Sequence, residues 1–300
     1  MPRLSIRHET TYRYGQPVGF GPQRLLIRPR DSHADRLVEA SLELFPAGET
    51  RWAYDALGNC LCWYQPQGLA SEMSVVSNLI MDRFPAPLAS TTIANPHSAM
   101  PIVYSLADRT VLDPFITPST EIDADVLDWV RAHMGMADEP ALDFLQRLTH
   151  AIHQEFLYGE RPEPGVLSPA ETIRRGSGTC RDFAWLMIEA LRRLGYAARF
   201  VTGYLYSPRL DVAHVFDGSH RGAGSTHAWC EVFLPSLGWM EFDPTNGLAE
   251  SPDLIRVATT RTPEEAAPIS GSIVGDPLFC EMYVNVEVHV MDRLSQSAVA

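Results

Sequence analysis

Cys180, His227 and Asp243 are the residues whose types and order could do chemistry. A thiol is a strong nucleophile only as the thiolate, so it needs a base, and the base needs a group that orients it. Cys180 lies in Gly176-Ser177-Gly178-Thr179-Cys180-Arg181-Asp182-Phe183, where a glycine-bearing turn delivers the chain into a helix. Phe183, Met187, Ala190 and Leu194 follow at helical spacing, and Gly195 stands where such a helix would stop. Cys180 therefore falls in the first helical turn. There the backbone N–H groups lack intrahelical partners and the helix macrodipole favours negative charge. The position predicts extra thiolate character and N–H groups placed to hold an oxyanion. A small buried hydrophobe is the usual fate of a free cysteine, but two glycines and the polar Thr179 and Arg181 make a poor core.

Thr226-His227-Ala228-Trp229-Cys230-Glu231-Val232-Phe233-Leu234 reads as a strand. Alternation puts His227, Trp229, Glu231 and Phe233 on one face and the apolar set Ala228, Cys230, Val232 and Leu234 on the other. Cys230 is then a core residue and not a competing nucleophile. A second strand, Trp239-Met240-Glu241-Phe242-Asp243, ends at Pro244. Equal parity lets Asp243 and His227 share a face. A tight turn at Ser236-Leu237-Gly238 would pair Asp243 with Glu231 and leave His227 about 13 Å further along. Direct pairing of His227 with Asp243 needs a wider loop centred on Pro235, and that wider loop is the expectation. Trp229 and Trp239 are candidates for walls of the cleft, with core packing as the commoner fate of Trp. Tyr158, upstream, is a candidate second oxyanion donor.

Other reactive residues fit bland readings better. Cys60-Leu61-Cys62 lacks the matching Cys or His pair of a zinc site, and alternation puts both thiols on one partly buried sheet face. His214 and His220 lie in the loop 207–225, either solvated or a lid over the cleft. The five cysteines do not form a disulfide framework.

The elements that must position these residues fall into two blocks. Residues 1–105 read as antiparallel β structure, a small sandwich. Leu4–Tyr14 is a strand broken by Gly15-Gln16-Pro17, residues 37–44 and 71–81 are strands, and Trp52-Ala53-Tyr54 and Cys60–Tyr64 flank a hairpin turn. Residues 106–122, with Pro114 and Pro118, read as a linker. Residues 123–300 then form the domain that carries the cysteine. Its helices cover 123–134 and 141–156, and Ser168-Pro169 starts another as N-cap and first helical residue.

Composition sets outer bounds. Three hundred residues with 45% hydrophobic and 20% charged content describe a globular protein. A net charge of -13 argues against nucleic acid or an anionic membrane as partner. All 24 basic residues are Arg, so no copy of the chain offers a Lys amine to another. No stretch reaches the ~20 apolar residues of a membrane span, and the first residues lack an apolar signal region, so a cytoplasmic location is expected.

Gly176–Phe183, Thr226–Val232 and Gly238-Trp239-Met240-Glu241-Phe242-Asp243-Pro244-Thr245-Asn246 resemble, in order, the three core motifs of transglutaminase-like proteins. Tyr12-Arg13-Tyr14 with Pro17-Val18, and Gly58-Asn59, are similar to the N-terminal β domain of bacterial members. The resemblance implies an α+β fold with a papain-like core, the cysteine helix packed on an antiparallel sheet. It implies Cys180 as nucleophile, His227 as base, Asp243 as orienter, a peptide or protein amide as substrate, and no metal or organic cofactor. Nothing matches the calcium-dependent multidomain animal enzymes. Three functions stay open: a cysteine amidohydrolase or peptidase working through a thioester, a protein-glutamine amine acyltransferase, and a scaffold that keeps the fold without turnover.

Overall fold

A computed structural model describes residues 2–84, 101–121, 123–136, 139–159, 165–206, 224–235 and 237–291. The chain adopts the expected α+β class. Its first block is one curled antiparallel sheet built on a long strand, β1 (Arg3–Arg28), with β2 (Asp35–Phe45), β3 (Gly48–Tyr54), β4 (Cys60–Pro66) and β5 (Ala70–Arg83) in the order β2-β5-β1-β4-β3. The first half of β1 pairs with β5 and the second half with β4. Gly15-Gln16-Pro17 therefore does not end the strand as expected. Phe20, Leu25 and Ile27 carry it onward into a core with Cys62, Tyr64 and Met73.

Helices follow: α1 (Leu106–Ile116), α2 (Ala124–Ala132) and α3 (Ala141–Glu155). Residues 106–116, read as part of a linker, are thus helical instead. Ser105 caps α1 by accepting from Asp108 N–H, and Leu112 and Phe115 bury its inner face. Pro114 falls in the last turn, so it removes one helical hydrogen bond near the end and leaves the first two turns intact.

A two-residue strand β6 (Leu157–Tyr158) leads to α4 (Pro169–Arg175), β7 (Ser177–Gly178) and α5 (Cys180–Arg193). Ser168 caps α4 in a full capping box with Glu171, and Gly176 ends it in the left-handed region at φ 61°. The second sheet contains β8 (Ala198–Leu205), β9 (His227–Leu234), β10 (Gly238–Asp243), β11 (Leu248–Ala249) and β12 (Leu254–Thr260), in the order β11-β10-β9-β8-β12. Helix α5 packs on its Ala228, Cys230, Val232 and Phe242 face and forms the main core with Phe144, Leu148 and Ile152 of α3.

The end of the described chain returns to the first sheet. β13 (Ile269–Val274) and β14 (Cys280–Met291) both pair with β1. A reading of 123–300 as one catalytic block misses these strands, because long-range pairing leaves no local sign. Among the described residues no helix is long and apolar enough to cross a membrane.

Buried Arg192 locks the C-terminal end of α5. It donates to the carbonyls of Phe115, Ala198 and Arg261 and to Glu189. Removing one member of a buried charged network leaves the other uncompensated. Arg192→Ala is expected to lower unfolding stability by about 3 kcal/mol or more in urea titration, and a loss below about 1 kcal/mol would show that the network does not hold the helix.

Candidate active site

Cys180 opens α5 and is buried. Its position is set from both sides. Thr179 is the N-cap, and the wholly buried Asp182 accepts from Thr179 N–H at 2.8 Å and from its hydroxyl at 2.9 Å. The other Asp182 oxygen accepts from Leu167 N–H at 2.7 Å, tying the approach to α4 to the start of α5. Gly178 is needed here: a Cβ at 178 would come within 2.9 Å of the Asp182 side chain. β6 and β7 run parallel beside this turn, with Gly159 N–H donating to Gly178 carbonyl at 3.1 Å. Tyr158 therefore stands next to the segment that enters Cys180, its ring edge-on to Phe183 at 6.4 Å.

His227 begins β9 and Asp243 ends β10. The two strands are paired Gly238 to Leu234 through Phe242 to Cys230. The register lies between the two considered from sequence. It is one step off the tight turn and one step short of the wider loop, so direct opposition of His227 and Asp243 is corrected to a diagonal relation. Diagonal neighbours on one face lie within reach of longer side chains, and His227 Nε2 meets Asp243 Oδ2 at 2.8 Å. Both side chains are wholly buried. Asp243 is saturated: Oδ2 also accepts from Asn246 Nδ2 at 2.8 Å, and Oδ1 from Thr245 N–H at 2.9 Å.

Burial alone would lower the His227 pKa. The Asp243 charge and hydrogen bond, with a smaller contribution from the nearby Cys180 thiol, outweigh it and raise the imidazole to about 10. Burial pushes Asp243 up, but the His227 charge and hydrogen bonds from His227, Asn246 and Thr245 N–H hold it below its ordinary value. The Nδ1 atom of His227 is buried and meets no hydrogen-bond partner in good geometry among the described residues, with the Cys180 thiol nearby. With Nε2 committed to the carboxylate, Nδ1 is the nitrogen left to exchange a proton with Cys180.

The remaining sequence candidates separate. Trp229 is wholly buried, stacked with the His227 ring at 5.9 Å, and donates to Glu241 at 3.3 Å. It backs the imidazole and does not wall a cleft. Trp239 is corrected as a cleft residue. It packs edge-on against Phe115 and Phe233, with the Arg199 guanidinium 4.0 Å over its ring. Cys230 is in the core beneath α5, and burial pushes its thiol well above the ordinary range. Cys62 is buried and Cys60 half-buried on β4, all five cysteines are free, and no metal-binding group is present among the described residues. His214, His220 and residues 207–223 of the proposed lid lie outside the described residues. Sequence reasoning missed Asp182 and Asn246. Aspartate three residues after the N-cap is a capping-box signal for the first, and the short polar run Asp243-Pro244-Thr245-Asn246 is a turn signal for the second.

A raised imidazole pKa contributes stability in full below its ordinary value of 6.5 and loses it as pH rises toward about 10. A lowered carboxylate contributes above its ordinary value of 3.8 and loses it as pH falls. The stability difference between the wild type and Asp243→Asn, followed by urea unfolding, is therefore expected to be widest between these two ordinary values. It should shrink toward pH 10; a difference independent of pH would exclude the charged pair.

Residues 128–244 match the model of the transglutaminase-like superfamily, and residues 4–82 match the bacterial transglutaminase-like N-terminal region. The uncharacterized protein Rv2569c of Mycobacterium tuberculosis is 28% identical over 306 residues, covering 97% of this chain and 90% of the relative. A protein-glutamine gamma-glutamyltransferase of Pseudomonas aeruginosa is 33% identical over 119 residues, 35% of this chain and 16% of that enzyme. Among solved structures, a candidate cysteine protease from Cytophaga hutchinsonii superposes with a TM-score of 0.68 at 20% identity, over 97% of this chain and 91% of that one, a likeness of fold. The chain thus joins an N-terminal region of the bacterial transglutaminase-like kind to a core of the transglutaminase-like superfamily.

Proposed function

We propose that this protein is a cysteine amidohydrolase or peptidase in which Cys180 is the nucleophile, His227 the general acid–base and Asp243 its orienter. The observation that supports this most is the polarity of the imidazole: Nε2 bound to Asp243 at 2.8 Å, and buried Nδ1 beside the thiol with no other partner among the described residues. His227 rests as the imidazolium, Nδ1 carrying the proton that the Cys180 thiol gives up, and Asp243 stabilises that charge. The thiolate attacks the amide carbonyl, and N–H groups of the first turn of α5 stabilise the oxyanion. Collapse of the tetrahedral species breaks the C–N bond, and the imidazolium protonates the leaving nitrogen. The resulting thioester is attacked by water, which gives its proton to His227. The acid leaves, and Cys180 is released as the thiolate. Tyr158, beside the segment entering α5, is the proposed second oxyanion donor.

Transfer of the acyl group to an amine is the second reading, favoured by the 33% identity with the Pseudomonas enzyme. The same thioester serves both. The absence of Lys from the sequence means that such a transferase would not cross-link its own copies through lysine.

Glutamine-containing peptides incubated with and without a primary amine separate the readings. Hydrolysis predicts ammonia or amine release that needs no added amine, and incorporation outpacing release would reject it. His227→Ala is expected to lower kcat/KM by about 10²–10⁴-fold. Asp243→Asn should move the alkaline limb of the kcat/KM profile to lower pH, because the imidazolium loses the carboxylate that raises its pKa. A limb that stays in place would argue that Asp243 does not act through His227.

A further inference from the structure

Beside His227 lies a cavity of about 270 Å³ at the seam of the two sheets. Thr10 and Tyr12 of β1 and Met282 and Val284 of β14 form one wall. Phe200, Thr202 and Ala228 of the second sheet form another, and Pro263, Glu264 and residues 266–269 a third. Most of the lining is apolar. Its volume suits a single residue-sized group, being at the small end for ligand pockets.

Three lining residues could carry charge besides His227. His8 is buried and neutral at physiological pH, because burial lowers its pKa to about 4, and its ring nitrogens meet Tyr204 and Thr10 hydroxyls at 3.0 Å. Glu264 is exposed and would repel an anion. Arg181, the residue after Cys180, is exposed at the cavity and has no ion-pair partner among the described residues. A lone guanidinium beside an apolar cavity is built to receive a carboxylate in a two-point hydrogen bond.

The cavity's side of the site follows from the imidazole. The leaving nitrogen must come within hydrogen-bond reach of His227, so whatever that nitrogen carries extends toward the space His227 lines. We infer that this cavity is the leaving-group pocket and that it takes a C-terminal amino acid with an apolar side chain, its free carboxylate held by Arg181. This rests on the amidohydrolase reading and narrows it to removal of a terminal residue. It also makes the N-terminal sheet part of the substrate site.

Calorimetry on Cys180→Ala tests the pocket without turnover. The probes are N-acetyl-Ala-X peptides, with X as Leu, Phe, Asp or Lys, each as free acid and as carboxamide. The Leu and Phe acids are expected to bind at least about tenfold tighter than their carboxamides, the worth of one charge-assisted hydrogen bond. Adding Arg181→Gln should bring that ratio near one. Met282→Glu, on an exposed wall position, should weaken Leu and favour Lys. Equal binding of acid and carboxamide, preference for Asp or Lys, or no binding by any pair overturns the pocket. Binding as expected, with no Cys180-dependent cleavage by the wild type, would instead overturn the amidohydrolase reading and leave the pocket standing.

Discussion

Two opposite charges buried at one end of a sheet constrain the rest of this domain. Taking an imidazolium and a carboxylate out of water costs several kcal/mol per ion unless each is fully hydrogen-bonded. Asp243 meets that demand with His227, Asn246 and Thr245 N–H. His227 does so on one side only, and its other nitrogen has the Cys180 thiol nearby but no well-formed hydrogen bond among the described residues. The pair therefore requires that β9 and β10 hold one register and that α5 begin at one place. The capping of α5 by Thr179 and Asp182 supplies the second requirement.

The register is held as well from the sheet face that points away from α5. Glu231 is wholly buried there, paired with Arg199 of β8 at 2.5 Å and with Arg256 of β12 at 2.6 Å. Trp229 fills the space between this layer and the imidazole, and Gly203, directly across from His227, makes room for it. A Cβ at 203 would sit 2.7 Å from the Trp229 ring and closer still to the backbone of β12. A one-residue slip of β9 would turn Glu231 toward α5 and its apolar core. The charges that look costly on this face thus specify the alignment that brings His227 to Asp243.

Much of this was legible in residues 176–246, because the chemistry sits in local patterns: glycines before a helix, alternation along β9, a polar turn after Asp243. Parity correctly removed Cys230 and put His227 with Asp243. The turn itself was misjudged by one step, since three-residue and wider connections share the same residues and only side-chain reach decides between them. Trp229 and Trp239 looked alike in sequence. They differ because Trp229 shares the face and the neighbourhood of His227, whereas Trp239 starts its strand at the far end. Residues 269–291 gave no sign of joining β1, and Pro114 hid a helix whose inner face is set by contacts with distant Ala197.

That hidden return of the chain bears on why an N-terminal sheet accompanies the core at all. Leu4, Ile6, Leu79 and Met81 share one buried cluster with Tyr204, Ile255 and Val257 of the second sheet. Asn59 clamps β12 by donating to Thr259 carbonyl at 2.7 Å and accepting from Thr259 N–H at 2.9 Å. Buried Arg83 donates to Leu254 carbonyl at 2.7 Å. Separating the sheets would expose the outer side of β8 and β12, the strands that continue the sheet from one edge of β9. The first sheet is therefore structural support for the imidazole's own strand, and the seam that support creates is where the cavity beside His227 opens.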